Sequence, residues 1–122
     1  MGEFKRIAKL TKANYSIELL LDFSDAHRVL TVLKGANTRI CDGKSVIYNT
    51  QGGPVLSRGG SGDLLSGLIG GMIAQNSLCV LTAVARGVML HGMAAQLLAR
   101  AKGQLAVHTT QLLDYLPKVL RT

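Results

Sequence analysis

The chain has 122 residues, a length that fits one domain over residues 1–122 and is too short for two. Its 14 lysines and arginines outnumber 7 acidic residues, and the net charge of +7 favours an anionic ligand. The basic residues are scattered with few aromatic side chains among them, which argues against nucleic acid as that ligand.

Apolar side chains make up 48% of the chain, the mean hydropathy is +0.26 and tryptophan is absent. That apolar content is high for a small domain, which has to cover itself with polar surface. We therefore expect some apolar surface to face a second copy in a homo-oligomer or the missing part of a larger fold.

Cys41 and Cys79 lie in apolar stretches without a CxxC spacing, which indicates reduced thiols in a cytoplasmic protein. The charged amino terminus lacks the pattern of a signal peptide. The longest apolar helix that we predict, residues 64–74, is shorter than the roughly 20 residues of a membrane span. No membrane partner is expected.

The chain opens with two helical patterns. Residues 2–12 place Phe4, Ile7 and Ala8 on one side and lysines and arginine mostly on the other, which predicts a short amphipathic helix. Residues 15–28 mix apolar and acidic side chains and predict a second helix.

A change of pattern at Val29 predicts a small sheet. Residues 29–33 form an apolar, largely β-branched run that stops at Lys34 and Gly35, as a buried strand does at its carboxyl end. Residues 39–48 then read as a β-hairpin with Asp42 and Gly43 in its turn. The sequence therefore predicts an α/β fold, a short sheet with a β-hairpin packed by helices.

Residues 49–62 contain five glycines and a proline, which predicts a loop. A loop of fourteen residues in a compact chain more often has a function than serves only as a connection. Behind it, apolar residues recur with helical period from Leu64 to Ile73, which predicts a helix buried against a sheet. The glycines within that helix leave room for a close neighbour; they are Gly67, Gly70 and Gly71.

Two further helices complete the chain. Residues 78–101 predict a long helix of mostly apolar or small residues, with Ser77 as its N-cap and Gly103 just past its end. Four polar residues interrupt its apolar pattern, namely Arg86, His91, Gln96 and Arg100. The last helix starts near Thr109 or Thr110 and contains Pro117.

The stretch RGGSGDLLSG, residues 58–67, is the clearest candidate site. Three glycines and a serine free successive backbone N–H groups at the positive end of a helix dipole, which suits a phosphate. Asp63 lies in the first turn of that helix, where a carboxylate caps the helix or, beside a bound phosphate, accepts a proton from a reacting hydroxyl.

Two other positions stand out. Lys34 and the residues after it follow the carboxyl end of a predicted strand, where ligands of α/β sheets collect; a solvated strand end is the plainer interpretation. His91 lies in an apolar helical context that favours a core histidine over a catalytic base.

Several motifs together resemble one family. They are GEF at the start, LKGANT before the hairpin, NTQGGPVLSRGGSGDLLSGLIGGMIAQ, AVARGVMLHGMAAQ and the terminal LLDYLPKVLR. This order is similar to the carboxyl-terminal half of the ADP/ATP-dependent NAD(P)H-hydrate dehydratases of the ribokinase-like superfamily. Members of that family are longer, and their amino-terminal half supplies further strands and part of the hydrate pocket.

The resemblance implies a partial ribokinase-like fold, ADP or ATP as phosphoryl donor with Mg²⁺, and hydrated NAD(P)H (NAD(P)HX) as substrate. Asp63 matches the family's catalytic and substrate-contacting base. The nucleotide-binding positions implied are Lys34, Gly35, Ala36, Asn37, Thr38 and Gly62, and the anion hole is formed by Gly59, Gly60 and Ser61. No protein ligand of the metal is implied.

Two other functions stay open. GGSGD also occurs in ribokinase-like small-molecule kinases, which act on alcohols with ATP. A chain that holds only half of such a domain is also compatible with a catalytically silent nucleotide-binding fragment.

Overall fold

The structure, a computed structural model, describes residues 2–9, 15–75 and 79–121, and the chain divides into two compact units at Asn49 and Thr50. The first unit contains helices α1 (Gly2–Ile7) and α2 (Ile17–His27) and strands β1 (Thr31–Leu33), β2 (Thr38–Cys41) and β3 (Val46–Asn49). The second contains helices α3 (Ser61–Gln75), α4 (Val80–Lys102) and α5 (Leu112–Leu120), with short 3-10 helices at Pro54–Leu56 and Thr109–Gln111. The predicted mixture of helices and a small sheet is confirmed.

The three strands form an antiparallel sheet in the order β1-β2-β3, and the predicted hairpin is its second half. In the turn, Asp42 Oδ1 accepts hydrogen bonds from the N–H groups of Ser45 (2.8 Å) and Lys44 (2.9 Å). These bonds to the ionised carboxylate lower the pKa of Asp42. Gly43 takes the left-handed conformation that the turn requires, with φ of +93°.

The predicted buried strand at residues 29–33 is only partly correct. The strand begins at Thr31 and pairs on one side, with β2, so it is an edge strand of the described sheet. Leu33 is buried, but Val29 is 44% exposed, because it precedes the strand.

The core of the first unit brings side chains from both helices to the sheet. Its buried members are Phe4, Leu20, Leu33 and Cys41. The first helix is shorter than predicted: α1 ends at Ile7, which is exposed instead of packed, and Lys9 adopts a left-handed backbone conformation. Residues 10–12 of the predicted helix lie outside the described residues.

In the second unit, α3 packs against α4. The packing of α3 against a sheet stays a prediction. Outside α3 itself, no described neighbour lies within 4 Å of where the Cβ atoms of Gly67, Gly70 and Gly71 would be, so a close neighbour of these glycines stays a prediction. The close approach occurs at Gly87 of α4, whose Cβ would meet Ile69 Cα at 3.2 Å.

Helix α4 is the central element of the second unit. It spans 23 residues, so residues 64–74 are not the longest apolar helix, and by length and composition α4 is long enough to cross a membrane. Half of its most apolar window is buried within the protein, as in a core helix. Gly103 caps its end as predicted, with a 2.8 Å bond from its N–H to the Ala99 carbonyl. Ser77, the predicted N-cap, lies outside the described residues.

Candidate functional site

The candidate site in the second unit is the nest loop, defined here as residues 58–63, which leads into α3. Gly60 has a φ of +84°, the left-handed conformation that glycine adopts without strain, and α3 begins at the next residue. The Ser61 N–H donates to the Arg58 carbonyl at 3.2 Å, and the Leu64 N–H donates to the Gly60 carbonyl at 3.1 Å. The chain therefore turns tightly into a regular helix.

This arrangement leaves backbone donors at the start of α3. In the part of the chain that the structure describes, no hydrogen bond uses the N–H groups of Gly62 or Asp63. They belong to the first turn, where a helix has no internal acceptor and where the dipole of the 15-residue helix is positive. Both features favour an anion. Because the Ser61 N–H is already bonded, the open donors are those of the second and third residues of α3.

Asp63 is exposed in the first turn of α3. The helix dipole stabilises its carboxylate, typically by about 0.3–1 kcal/mol. A carboxylate beside an anion site can also accept a proton from a hydroxyl that attacks a phosphoryl group. The geometry is compatible with both roles.

Helix α4 lies beneath the loop region through its Leu90-His91-Gly92 sequence. A Cβ at Gly92 would be 2.6 Å from the backbone carbonyl of Gln51, so only glycine lets the chain pass this close to the helix. His91, which is 6% exposed, lies against the Ser61 backbone. The two residues thus support the glycine-rich segment near both of its ends.

Burial favours the neutral form of His91. Burial lowers its pKa, and a smaller opposing effect comes from the hydrogen bond to the Ser61 backbone. Among the described residues, its buried Nε2 has no hydrogen-bond partner of good geometry. The prediction of a core histidine is confirmed.

The second candidate segment is the lysine loop, residues 34–38, in the first unit between β1 and β2. Its internal bonds are long: Gly35 N–H to Thr38 Oγ1 measures 3.4 Å, and Thr38 Oγ1 to the Gly35 carbonyl measures 3.3 Å. The side chain of Lys34 is 54% exposed and lies 4.0 Å from Glu3. Ala36 and Asn37 are exposed as well, so the loop is open to a ligand but weakly held.

Protein ligands for a metal are not clustered in the described residues, where no group of three or more histidine, cysteine, aspartate or glutamate side chains comes together. A dedicated protein cage for Mg²⁺ is therefore not formed by this part of the chain. Mg²⁺ is commonly bound by one or two carboxylates together with substrate phosphates and water, and Asp63 is the carboxylate of the nest loop.

Sequence reasoning missed the tertiary support of the nest loop. Thr109 donates a hydrogen bond to the Gly59 carbonyl, although the two residues are 50 positions apart, and no local pattern indicates such a contact. The approach of Gln51 to Gly92 was equally hidden. The LHG motif at residues 90–92 is the sequence feature connected with this approach. It places a glycine inside a helix but does not identify the residue that contacts it.

Comparison with known proteins gives a consistent result. A family model described as NAD(P)H-hydrate dehydratase matches residues 1–118. A bifunctional NAD(P)H-hydrate repair enzyme of Moorella thermoacetica is 38% identical and is matched over 98% of this chain and 23% of its own length. An ADP-dependent (S)-NAD(P)H-hydrate dehydratase of Cenarchaeum symbiosum is 30% identical over 98% of this chain and 42% of its own length.

Solved structures agree with the sequence matches. The crystal structure of an ADP/ATP-dependent NAD(P)H-hydrate dehydratase from Bacillus subtilis, co-crystallized with ATP/Mg²⁺ and soaked with CoA, superposes with a TM-score of 0.88 at 29% identity. The superposition covers 98% of this chain and 46% of the B. subtilis chain. A ribokinase-like superfamily protein from Enterococcus faecalis gives a TM-score of 0.87 at 28% identity, with 98% of this chain and 41% of that chain covered. The chain thus has the fold of less than half of these proteins.

Proposed function

The chain belongs to the NAD(P)H-hydrate dehydratase family, and we propose that it forms the nucleotide-binding half of an enzyme that dehydrates NAD(P)HX with ADP or ATP as phosphoryl donor. The main support is the pair of N–H groups of Gly62 and Asp63, to which the described residues offer no acceptor, at a helix N-terminus that a left-handed glycine introduces. The B. subtilis dehydratase with a similar fold was crystallised with ATP/Mg²⁺, which agrees with a phosphate ligand here.

The proposed roles divide between the two loops. In the nest loop, backbone N–H groups bind nucleotide phosphate and Asp63 is the base, with Gly59, Gly60 and Ser61 shaping the turn. In the lysine loop, the ammonium group of Lys34 supplies positive charge and the exposed backbone that follows contacts the nucleotide. The Mg²⁺ that accompanies the nucleotide would be held mainly by its phosphates.

The proposed reaction has two steps. Asp63 accepts the proton of the hydroxyl group on the hydrated nicotinamide ring while the hydroxyl oxygen attacks the terminal phosphoryl group of the nucleotide. The bond between that phosphorus and the bridging oxygen breaks, and AMP leaves from ADP or ADP leaves from ATP. The phosphate ester then loses phosphate, which takes the electrons of the carbon–oxygen bond, and a proton leaves the adjacent carbon. The ring double bond is restored and NAD(P)H is formed.

The test combines calorimetry with ADP and ATP and an absorbance assay for the conversion of NADHX to NADH. We expect micromolar to millimolar nucleotide binding, and dehydration that Asp63→Asn reduces at least a hundredfold, because amide nitrogen cannot act as the base. Asp114→Asn is the matched control, since Asp114 is also an exposed acidic residue in the first turn of a helix. Equal losses in both variants would reject Asp63 as the base.

A second candidate function is nucleotide binding without turnover, and the coverage of the relatives favours it. The chain spans less than half of each similar structure, so part of the substrate pocket is expected from elsewhere. Adding the amino-terminal half of the B. subtilis enzyme as a separate polypeptide discriminates the two. Restored dehydration supports the enzymatic function, whereas nucleotide binding without any dehydration supports the silent one.

The setting of the protein is also a proposal. Neither Cys41 nor Cys79 takes part in a disulfide among the described residues, which fits a reducing compartment such as the cytoplasm. The exposed apolar side chains of the second unit, Ile73 and Met89 among them, would be covered by the rest of the domain or by a second copy.

A further inference from the structure

The nest loop is tied to the segment that follows α4 by two side chains that the proposed reaction does not use. Arg58 Nη2 donates to the carbonyl oxygens of Gln104, at 2.7 Å, and Leu105, at 2.6 Å. Thr109 Oγ1 donates to the carbonyl oxygen of Gly59 at 2.9 Å. The loop therefore has long-range anchors at two consecutive residues.

The segment that provides these anchors is itself fixed at both ends. Gly103 ends α4 through a bond from its N–H to the Ala99 carbonyl, and Val107 is buried in the core of the second unit. The His108 N–H donates to Gln111 Oε1 at 2.6 Å, which caps the short 3-10 helix that begins with Thr109. Thr109 is thus a rigid support for the loop.

The nest loop needs such a support because Gly59 and Gly60 have no side chains. Two consecutive glycines sample many backbone conformations, and only some of them give Gly60 its left-handed φ. In a trans peptide, the N–H points opposite to the carbonyl, so fixing the Gly59 carbonyl on Thr109 directs the Gly60 N–H away from Thr109. The Thr109 methyl group is also near Gly60, 3.7 Å from where a Cβ would be.

We propose that Thr109 and Arg58 are positioning residues that hold the nest loop in its anion-binding conformation before a ligand arrives. The identity of the ligand in this inference rests on the proposed nucleotide function. The conformation of the loop, in contrast, is a property of the free chain. Thr109 is uncharged and bonded to the protein backbone, so its effect on affinity comes through the loop.

The test uses four variants of the full chain. Thr109→Val removes the hydroxyl and keeps the shape, and Thr109→Ser keeps the hydroxyl. Thr110→Val is the matched control, because Thr110 is the exposed neighbour in the same 3-10 helix. Arg58→Lys keeps the charge and removes the planar guanidinium that reaches two carbonyls. Each variant is measured by amide hydrogen exchange at Ser61, whose N–H is bonded to the Arg58 carbonyl, in the free chain. Calorimetry with ADP and with adenosine, which has no phosphate, gives the affinities.

We expect Thr109→Val to speed amide exchange in the loop. Its affinity for ADP should fall about three- to tenfold, the effect of one lost hydrogen bond, while its affinity for adenosine stays unchanged. Thr109→Ser restores both quantities, Thr110→Val behaves as wild type, and Arg58→Lys speeds exchange in the loop as well. Unchanged exchange in Thr109→Val, or a failure of Thr109→Ser to restore it, would overturn the proposal. A wild-type chain that does not bind ADP but shows the expected exchange pattern would support the positioning role and reject the nucleotide function.

Discussion

The two glycine-containing loops of this protein are held in place very differently. The nest loop is anchored from several directions: Thr109 bonds the Gly59 carbonyl, Arg58 reaches the segment after α4, and His91 supports Ser61 from below. The lysine loop is held by internal bonds of 3.3 and 3.4 Å and a 4.0 Å ion pair between exposed side chains. One loop is preorganised by tertiary contacts, whereas the other is ordered mainly by its flanking strands.

The two loops lose their conformational freedom at different stages. A preorganised anion site gains affinity because the loss of backbone freedom has already occurred on folding. A loosely held loop must lose that freedom when the ligand binds, and its contribution depends on charge and direct contacts. Substitutions near the nest loop should therefore alter folding as well as binding, and those in the lysine loop should alter binding alone.

Gly92→Ala is the strongest test of the close contact between α4 and the glycine-rich segment in the second unit. Its Cβ would be 2.6 Å from the Gln51 backbone, so either the segment moves or α4 shifts. We expect a loss of about 2–3 kcal/mol in the free energy of unfolding, the upper part of the range for overpacking. Urea unfolding followed by circular dichroism measures it.

Gly70→Ala is the control for Gly92→Ala. Gly70 lies in α3 with open space at its Cβ position, so alanine should stabilise the protein by about 0.5–1 kcal/mol through helix propensity. If Gly92→Ala is as stable as wild type, the close contact between α4 and the loop region does not exist in solution.

Lys34→Ala tests the loosely held side. We expect ADP affinity to fall by about 1.5–3 kcal/mol, the value of a hydrogen bond to a charged group, because the lysine loop loses the positive charge that it offers to an anionic ligand. The free energy of unfolding should change by less than about 0.5 kcal/mol, since the ion pair with Glu3 is exposed and weak. Calorimetry and urea unfolding check the two quantities, and Lys44→Ala, an exposed lysine of the hairpin turn, is the control. A large loss of stability would show that the lysine loop is also anchored.

Glycine-to-alanine exchange compares the two loops directly. Gly60 has a φ of +84°, so alanine there should cost about 1–2 kcal/mol of stability through backbone strain. Gly35 has open space around it and a φ outside the left-handed region, so alanine should be tolerated within about 0.5 kcal/mol. Thermal unfolding of both variants measures the contrast, and equal effects would remove the distinction between the loops.

The sequence predicted the elements far better than their partners. Periodicity and turn residues located the hairpin, α2, α4 and the end of α4 at Gly103, because these features depend on neighbouring residues. The packing of α3 against α4 was not predicted, since an apolar helix face does not specify whether a sheet or a helix covers it. The length of helix α1 was overestimated because Ile7 continues the apolar pattern of the sequence, although its side chain is exposed.

The candidate site shows the same limit. Glycine density and Asp63 indicated an anion site at the start of a helix, and the structure adds which N–H groups are open. The contact of Thr109 with Gly59 joins residues 50 positions apart and has no local signature. Motif order, in contrast, was sufficient to indicate the family, because it combines several segments of the chain.

The smallest expected effect concerns His91 beneath the nest loop. Burial lowers its pKa from the ordinary 6.5, so in the folded protein it stays neutral at a pH where the unfolded chain already binds a proton. The unfolded state then binds more protons, and the stability that the neutral form contributes above about pH 6.5 decreases as the pH falls toward the folded pKa. The slope attributable to His91 is at most about 1.4 kcal/mol per pH unit. Urea unfolding of wild type and His91→Gln between about pH 7.5 and 5.5 isolates it, because other groups titrate alike in both proteins. The difference in the free energy of unfolding between the two proteins should shrink on acidification. A constant difference would mean that His91 gains a proton as readily in the folded protein as in the unfolded chain. The contact of His91 with Ser61 would then not depend on a neutral imidazole ring.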